Sequence, residues 1–400
     1  MMEMRLEHWK LPAELRLALD FALRRGPEIP EGLDWGYFDE AVRQHRIQPL
    51  LIRGLRTMDR QVLEQYPALD RYRAQQNKYT VESLNRLKAL AELSGAFADA
   101  GIPMISMKGP MLAIELYGDP SLRTSRDLDV MVAECDLERS GAVLRQLGYR
   151  LEGGPFRQTP LRKKYLNLIE LEKHEIYQKG EICVELHWKS NFQTERSFAQ
   201  LWEEREEQLL MGRPIAVMGQ EERYSALIIH AAEHGFLRLR WLLDLYELQK
   251  KPQFSWEKTH RRMCDQGVGE LLLETMLVMY RLDLPGLEDV HWEGVSLTRE
   301  AGGICLRVND ELARDAQKAQ SLCDAVFPLL LREVQRGDRE WKDYDRQLPT
   351  CINQKTLLQN ILIVCGPSLY DFELIDLPDS MFWLYFIIRP FHWLWRKLTK

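Results

Sequence analysis

A short alternating segment, Arg126-Asp-Leu-Asp-Val-Met-Val132, is the most informative part of the sequence. Successive side chains of a β-strand point to opposite faces of a sheet. Asp127 and Asp129 would therefore share one face, while Leu128 and Val130 would point to the other. The segment predicts a strand that is buried on its apolar side and carries two carboxylates on its polar side. An isolated Asp-x-Asp also fits two solvated residues of an edge strand.

A hairpin further along the chain supplies a third carboxylate. Lys179-Gly180 separates two strand-like segments, His174–Gln178 and Glu181–Trp188, and is typical of a tight turn. Within the second segment Glu185 and His187 share a face, because they are two residues apart. We expect Glu185 to be either a site residue or a solvent-facing strand residue. We expect His187 to be either a packing residue or a residue that contacts a substrate.

A cation is expected wherever Asp127, Asp129 and Glu185 come together. Carboxylates that share one site repel each other unless a positive charge compensates them. Mg²⁺ prefers oxygen ligands and commonly combines one or two carboxylates with the phosphates of a substrate. If the two strands are neighbours, Asp127 and Asp129 would hold Mg²⁺, or Mn²⁺ in its place. Glu185 would then deprotonate a hydroxyl or complete a second metal site.

Residues of a phosphate-binding turn precede the carboxylates. The apolar run Ile102–Met107 predicts a strand, and Lys108-Gly-Pro110 predicts a turn into a helix. Glycine lets the backbone approach a ligand, and a helix N-terminus attracts anions. Lys108, Gly109, Arg123 and Arg126 are therefore candidate phosphate-binding residues. Both arginines also fit structural partners of the carboxylates.

Predicted helices flank this core on both sides. Apolar residues recur there at three- and four-residue spacing. The predicted helices lie at 11–25, 36–55, 78–100, 111–117, 136–147, 221–250, 270–282, 312–336 and 355–364, and a further strand lies at 165–171. We expect a helical region at 1–98, an α/β or α+β core at 99–215, and a helical region at 216–400.

The composition excludes several classes of protein. The 400 residues carry a formal net charge of −6, and 45% of them are hydrophobic, as in an ordinary globular chain. The weak acidity argues against broad nucleic-acid binding. The seven cysteines form no Cys-x-x-Cys pair, which fits reduced thiols. We find no signal peptide or apolar run of membrane-spanning length, and expect a cytoplasmic or peripherally membrane-bound protein.

Two histidines on one predicted helix leave three alternatives open. His230-Ala-Ala-Glu-His234 fits the inverted zinc-peptidase pattern, although no downstream residue stands out as a third ligand. The apolar surroundings favour buried structural histidines. His230, His234 and Arg238 also fit a substrate-binding surface next to the predicted carboxylate and phosphate site.

The aromatic C-terminal segment has two possible roles. Residues 381–398 combine many aromatic side chains with basic residues at the end. Such a segment either docks on the core as a terminal helix or contacts a membrane surface or a protein partner.

Together these motifs resemble one known family. Along the chain, the set is His45–Leu51, Met107-Lys-Gly-Pro110, Leu116-Tyr-Gly-Asp-Pro120, Arg123, Arg126-Asp-Leu-Asp-Val130, Glu185-Leu-His-Trp188, His230-x-x-x-His234-Gly, Leu239-Arg-Trp-Leu-Leu-Asp244, and Asp376-Leu-Pro378 with Arg389-Pro390. In this order the motifs are similar to those of an uncharacterised bacterial nucleotidyltransferase family of the DNA polymerase β-like superfamily. The resemblance covers residues 30 to 250 and a C-terminal patch.

The resemblance implies an α+β fold in which a small mixed sheet with helices on one side is framed by helical segments. It also implies metal-dependent transfer of a nucleoside monophosphate from an NTP to an acceptor, with release of pyrophosphate. Asp127 and Asp129 would hold Mg²⁺, and Glu185 would help to activate the acceptor. The acceptor is left open between a sugar, another small molecule, a protein side chain and an RNA end. Lys108-Gly-Pro110 stands where the wider superfamily has Gly-Ser, and Glu185 stands where Asp is commoner. A non-catalytic binding or interaction module of the same fold is the second hypothesis.

Overall fold

The computed structural model describes residues 1–152, 161, 165, 174–189, 196–287, 289–300, 303–336, 366–367, 371–372, 375 and 377–398. The strand predicted at 165–171 lies outside these residues except for Tyr165, and the helix predicted at 355–364 lies outside them entirely.

The elements are numbered in chain order over the described residues. The helices are α1 (Ala13–Ala22), α2 (Trp35–Gln44), α3 (Gln48–Leu55), α4 (Arg60–Leu63), α5 (Pro67–Ala74), α6 (Gln76–Asp99), α7 (Pro110–Tyr117), α8 (Leu137–Gln146), α9 (Phe198–Glu203), α10 (Gln220–Glu233), α11 (Leu239–Gln249), α12 (Trp256–Asp265), α13 (Glu270–Arg281), α14 (Ala313–Arg336) and α15 (Leu384–Leu398). The strands are β1 (Met2–Leu6), β2 (Ile105–Ser106), β3 (Asp127–Met131), β4 (Arg150–Leu151), β5 (His174–Lys179), β6 (Ile182–His187), β7 (Glu206–Leu210), β8 (Arg213–Val217), β9 (Asp289–Trp292), β10 (Val295–Glu300) and β11 (Gly303–Val308).

A mixed sheet forms the centre of the fold and confirms the α+β prediction. Its strand order is β4-β5-β6-β3-β2-β8-β7. β3 runs parallel to β6, and β2 runs parallel to β8, while the other neighbouring strands are antiparallel. The β5–β6 hairpin forms around Lys179-Gly180, as the sequence predicts.

The apolar side of this sheet is buried under helices. Leu128 and Val130 of β3 join Val184 and Leu186 of β6 in one hydrophobic cluster with residues of α6 and α8. The alternation of the two strands thus fixes which face packs and which face is free for polar groups. Leu84 of α6, which the helical spacing places on the buried stripe, is exposed instead.

A second hairpin widens the sheet at its other edge. β7 and β8 are joined by Met211 and Gly212, whose φ angles are 51° and 81°. Two successive positive φ angles are typical of the tight turns that match strand twist. The sequence analysis missed this hairpin because Met-Gly is a weaker turn signal than Asn-Gly. The predicted boundary between 215 and 216 falls inside β8.

A second sheet corrects the prediction that both flanks are purely helical. Its order is β1-β11-β10-β9, and its neighbours are antiparallel. The N-terminal strand therefore pairs with a strand some 300 residues later in the chain, as in Met2 opposite Val308. Each strand has only four to six residues, which is too short for helical periodicity to be rejected from the sequence alone.

The N-terminal and C-terminal flanks share one hydrophobic core. It joins Leu19 of α1 and Leu51 of α3 to Leu242 of α11, Leu272 of α13 and Leu306 of β11. The two flanks are therefore packed together, with the mixed sheet beside them.

Two helices predicted as continuous are each broken in the middle. The break between α2 and α3 contains Arg46 with a φ of 53°, and the break between α10 and α11 contains Gly235 and Phe236 with φ angles of 60° and 53°. Apolar periodicity continues across both breaks, so the sequence does not reveal them.

The C-terminal helix α15 docks through one side and exposes the other. The hydroxyl of Tyr385 donates to the carbonyl of Ile375, and His392 contacts Asp371. Trp383, directly before the helix, and Phe391, within it, are 59% and 71% exposed. The helix thus packs against nearby C-terminal residues and exposes apolar side chains, and both roles predicted for residues 381–398 stay predictions. None of the described helices has the length and apolarity required to cross a bilayer.

Candidate active site

Strand pairing brings the three predicted carboxylates together. In the parallel β3–β6 pair, Asp127 lies opposite Cys183 and Asp129 lies opposite Glu185. All three carboxylates therefore project from the same face of the sheet, at the two central strands. The neighbouring Leu128 belongs to the apolar core on the other face.

The carboxylates line a cavity between the sheet and the helical flanks. Its volume is about 420 Å³, within the range of small-molecule sites. Its lining residues are Arg46, Lys108, Arg123, Thr124, Ser125, Arg126, Asp127, Asp129, His174, Glu185, His187, Lys189, His230, Glu233, His234, Arg238, Arg240 and Trp241. Every residue predicted as a site residue lies in this wall except Gly109.

Gly109 forms the turn behind the wall. It caps the N-terminus of α7 with a φ of 75° and a ψ of −140°, a conformation that residues with a Cβ atom rarely adopt. A Cβ atom at this position would make an ordinary contact, 3.6 Å from the carbonyl oxygen of Asp127. The positive φ, rather than a lack of space, therefore favours glycine at this turn, which carries Lys108 in the cavity wall.

The two aspartates of β3 have opposite electrostatic environments. Burial and, after it, the nearby charges of Asp129 and Glu185 raise the pKa of Asp127 to about 6. Burial would also raise the pKa of Asp129, but His187 and Lys108 outweigh it and hold that pKa well below its usual value. The raised pKa of Asp127 indicates a cluster of acids that a bound cation would stabilise.

His187 lies directly between two of the acids. Its Nε2 atom is 3.5 Å from Asp129 and 3.4 Å from Glu185. That nitrogen is buried and makes no hydrogen bond within the described part of the chain. Burial disfavours a charged His187, yet the two carboxylates prevail and raise its pKa. His174, on the neighbouring strand, lies 4.0 Å from Glu185.

Arg123 is held by an acid rather than left for a ligand. Its Nε donates to Asp244 of α11 over 2.8 Å, and both side chains are almost fully buried. Its Nη1 is 3.5 Å from the carbonyl oxygen of Gly109. Tyr117 donates to the second oxygen of Asp244 over 2.8 Å. Arg123 thus links the turn at Gly109 to α11, although it also borders the cavity.

Arg240 is the cation that the sequence analysis missed. It is buried at the start of α11, and its guanidinium donates to the carbonyl and hydroxyl of Thr124. Burial lowers its pKa to about 9, and the charge of Arg123 contributes. No carboxylate of the described residues lies within ion-pair distance of it. Its signal in the sequence was a basic residue among apolar ones in Leu239-Arg-Trp241.

The remaining predicted cations differ in exposure. Arg126 is exposed at the start of β3, and Lys108 is partly exposed. Neither makes an ion pair with any residue that the structure describes. Both side chains border the cavity and are available to an anion there.

His230 and His234 form an aromatic group with Trp241. The ring of His234 stacks on Trp241 at 5.2 Å, and His230 meets both rings edge-on. Burial lowers the pKa of each histidine, to about 4 for His234, so both are neutral at pH 7. Arg238 lies over the face of Trp241.

The histidine pair does not form a zinc site with the described residues. Ligand atoms of three or more His, Cys, Asp or Glu residues cluster there only at His174, Glu185 and His187 and at Glu3, Glu300 and Cys305. Neither cluster contains His230 or His234, and the zinc-peptidase alternative therefore lacks the third ligand it requires.

The cavity therefore combines acids from the sheet with cations from the turn and the helices. Asp127, Asp129 and Glu185 offer the oxygen ligands that Mg²⁺ prefers. Lys108 and Arg240 supply positive charge beside them. This combination suits a polyphosphate bound together with a divalent cation.

A family model and a solved structure match this chain. A family model described as "Uncharacterised nucleotidyltransferase" matches residues 31–282. A solution structure of the antibiotic-resistance factor ANT(2'')-Ia aligns with 46% of this chain and 91% of its own, at 12% identity and a TM-score of 0.35. No curated protein matches the sequence. Because the family model spans more than half of the chain and includes the whole cavity wall, the protein belongs to this uncharacterised nucleotidyltransferase family.

Proposed function

We propose that the protein transfers a nucleoside monophosphate from an NTP to an acceptor hydroxyl in a Mg²⁺-dependent reaction that releases pyrophosphate. The observation that carries the proposal is the pairing of Asp129 with Glu185 in one cavity with the buried guanidinium of Arg240. The acids of the cavity attract Mg²⁺. Arg240, which has no acid partner among the described residues, attracts the phosphates.

Asp127 and Asp129 are the proposed ligands of Mg²⁺. They fit Mg²⁺ because both carboxylates lie on one face of β3 and share the cavity with the carboxylate of Glu185. Mg²⁺ bound there would neutralise phosphate oxygens and favour the charge that develops during transfer. Mn²⁺ is the alternative cation.

The triphosphate is proposed to lie along Lys108 and Arg240. Lys108 offers a point charge, whereas the planar guanidinium of Arg240 presents several donors to phosphate oxygens. Arg126 at the rim and the turn at Gly109, before the N-terminus of α7, add further positive potential. We propose Arg123 as a positioning residue, because its Nε already donates to Asp244.

Glu185 is the proposed base. An oxygen of the acceptor forms a bond to the α-phosphorus, and the bond from that phosphorus to the pyrophosphate oxygen breaks. The acceptor proton passes to the Glu185 carboxylate. Lys108 and Arg240 stabilise the negative charge on the departing pyrophosphate.

The acceptor is proposed to enter from the helical side. His230, His234 and Arg238 border the cavity there, His187 borders it from the sheet, and the aromatic group offers flat surfaces for a ring. A sugar, another small molecule, a protein side chain and an RNA end all remain candidate acceptors. We also propose a cytoplasmic or peripherally membrane-bound location.

Pyrophosphate release tests the proposal directly. The protein is incubated with each α-labelled NTP, Mg²⁺ and fractionated cell extract, and label is followed into acceptor and pyrophosphate into solution. We expect transfer that chelation of Mg²⁺ abolishes and that Asp127→Asn or Asp129→Asn reduces by at least about a thousandfold, since these residues act on the transition state.

Asp289→Asn is the matched control, because Asp289 is likewise a strand aspartate but lies outside the cavity. It should leave transfer unchanged. Nucleotide binding without turnover in any fraction would instead favour the non-catalytic module.

A further inference from the structure

We propose that His174, Glu185 and His187 form a second cation site that selects a first-row transition metal rather than Mg²⁺. This ligand set is distinct from Asp127 and Asp129, although it borders the same cavity. Its use in turnover rests on the proposed nucleotidyl transfer, whereas its existence does not.

Strand pairing places the three ligands in one cluster. His174 of β5 lies opposite His187 of β6, and Glu185 is two residues before His187 on the same face. One ligand atom from each residue lies within 4.8 Å of the other two. Two ligands bound to one metal at about 2.1 Å stand roughly 3–4 Å apart. The observed cluster therefore needs only small side-chain adjustments to close on an ion.

The orphaned nitrogen of His187 is an independent observation that points to a ligand. Its Nε2 is buried and lies 3.5 Å from Asp129 and 3.4 Å from Glu185, but it forms no hydrogen bond with any described residue. Buried polar atoms are rarely left without a hydrogen bond. A metal bound at this nitrogen would take the place of its proton and compensate both acids.

The donor set determines which metal fits. Imidazole nitrogen suits Mn²⁺, Co²⁺ and Zn²⁺ progressively better, whereas Mg²⁺ takes oxygen ligands almost exclusively. Two imidazoles with one carboxylate resemble the nitrogen-rich sites of transition metals more than an oxygen cage. We therefore expect this site to hold its ion against an excess of Mg²⁺.

A comparison within the chain shows that the spacing alone does not make such a site. Asp289 and His291 repeat the two-residue spacing of Glu185 and His187 on β9. There the histidine is half exposed and lies 2.7 Å from Asp289, and the described residues add no third metal-ligating side chain to the pair. His291→Ala is thus a matched control for the loss of a strand histidine.

Cobalt binding is the test, because Co²⁺ absorption reports both occupancy and ligand type. Metal-free full-length protein is titrated with Co²⁺ in excess Mg²⁺, and bound metal is counted by elemental analysis after dialysis. We expect one tight Co²⁺ per chain with nitrogen-ligand absorption. His174→Ala and His187→Ala should each weaken binding at least about tenfold, and His291→Ala should not.

The inference is overturned if the native protein binds no Co²⁺ in excess Mg²⁺, or if both cavity histidine variants bind it as tightly as the native protein. Unchanged cobalt affinity with lost transfer in His187→Ala would assign that residue to proton transfer and also overturn the site. Thermal unfolding verifies that each variant is folded. Retained cobalt binding without any transfer activity would refute the proposed function alone.

Discussion

A double-mutant cycle on Arg123 and Asp244 decides whether Arg123 supports the fold or binds phosphate. Both side chains are almost fully buried and meet at 2.8 Å. Arg123→Met leaves the acid without its cation, and Asp244→Leu leaves the cation without its acid. Breaking a buried pair in this way costs about 3–5 kcal/mol of unfolding free energy. Replacing both partners by apolar groups of similar size is often close to neutral.

Tyr117 complicates the cycle because its hydroxyl also donates to Asp244. Losing that acceptor would add about 1–3 kcal/mol for an unsatisfied buried hydroxyl. The four proteins of the cycle are therefore made in a Tyr117→Phe background, where the hydroxyl is absent throughout. Urea unfolding with an unchanged m-value then gives each difference in stability. We expect a coupling energy of at least about 3 kcal/mol between positions 123 and 244, because the double variant should lose much less stability than the two single variants together.

Nucleotide binding by the same proteins completes the argument. Equilibrium dialysis with labelled NTP and Mg²⁺ should show that the apolar double variant binds within a few-fold of its background. The reasoning is refuted if the two single substitutions are additive in stability. It is equally refuted if the folded double variant loses nucleotide as severely as a variant without Arg240, since Arg123 would then bind the phosphates itself.

Three further predictions concern other parts of the molecule. Arg240→Met should change the unfolding free energy by less than about 2 kcal/mol, because removing a buried cation that has no acid partner among the described residues offsets the loss of its hydrogen bonds to Thr124, but it should weaken NTP binding in the same dialysis at least tenfold. Burial raises the pKa of Glu274 to about 8, so the folded protein retains a proton that the unfolded chain loses near pH 4.5. Stability should therefore fall as the pH rises from 4.5 to 8, by a few kcal/mol in denaturant unfolding, and Glu274→Gln should remove this dependence. The protein should co-sediment with vesicles rich in anionic lipid, because α15 and the preceding Trp383 bind to the vesicle surface. Trp383→Ser combined with Phe391→Ser should abolish this co-sedimentation. Binding to neutral vesicles alone would contradict the prediction.

The sequence allows the acidic half of the site to be predicted, because a period of two determines the face of a strand. Asp127 and Asp129 could be placed together, and Glu185 beside His187, from alternation alone. That β3 and β6 are neighbours could not be read from spacing, since any pairing of these strands preserves the same alternation. The parallel register that sets Asp129 beside Glu185 depends on the whole sheet.

The cationic half was harder to predict because it depends on where helices break. Arg46, which the sequence analysis did not single out, borders the cavity because the chain leaves the helical conformation at this residue although the apolar periodicity continues. Arg240 was hidden by its apolar neighbours, which are typical of a buried helix. Arg123 was placed correctly at the cavity, but its partner lies 121 residues away and no local pattern reveals it.

The sheet and the helices contribute opposite charges to the cavity. The acids come from β3 and β6, whereas Arg240 comes from α11, which the buried pair of Arg123 and Asp244 fastens to the turn at Gly109. A nucleotide bound between them would contact both layers at once. The mixed sheet alone would hold the acids without the charge that attracts a triphosphate, so the helical flanks are part of the site rather than a frame around it. A change in the packing of α11 against α7 should therefore alter nucleotide affinity without touching a single carboxylate.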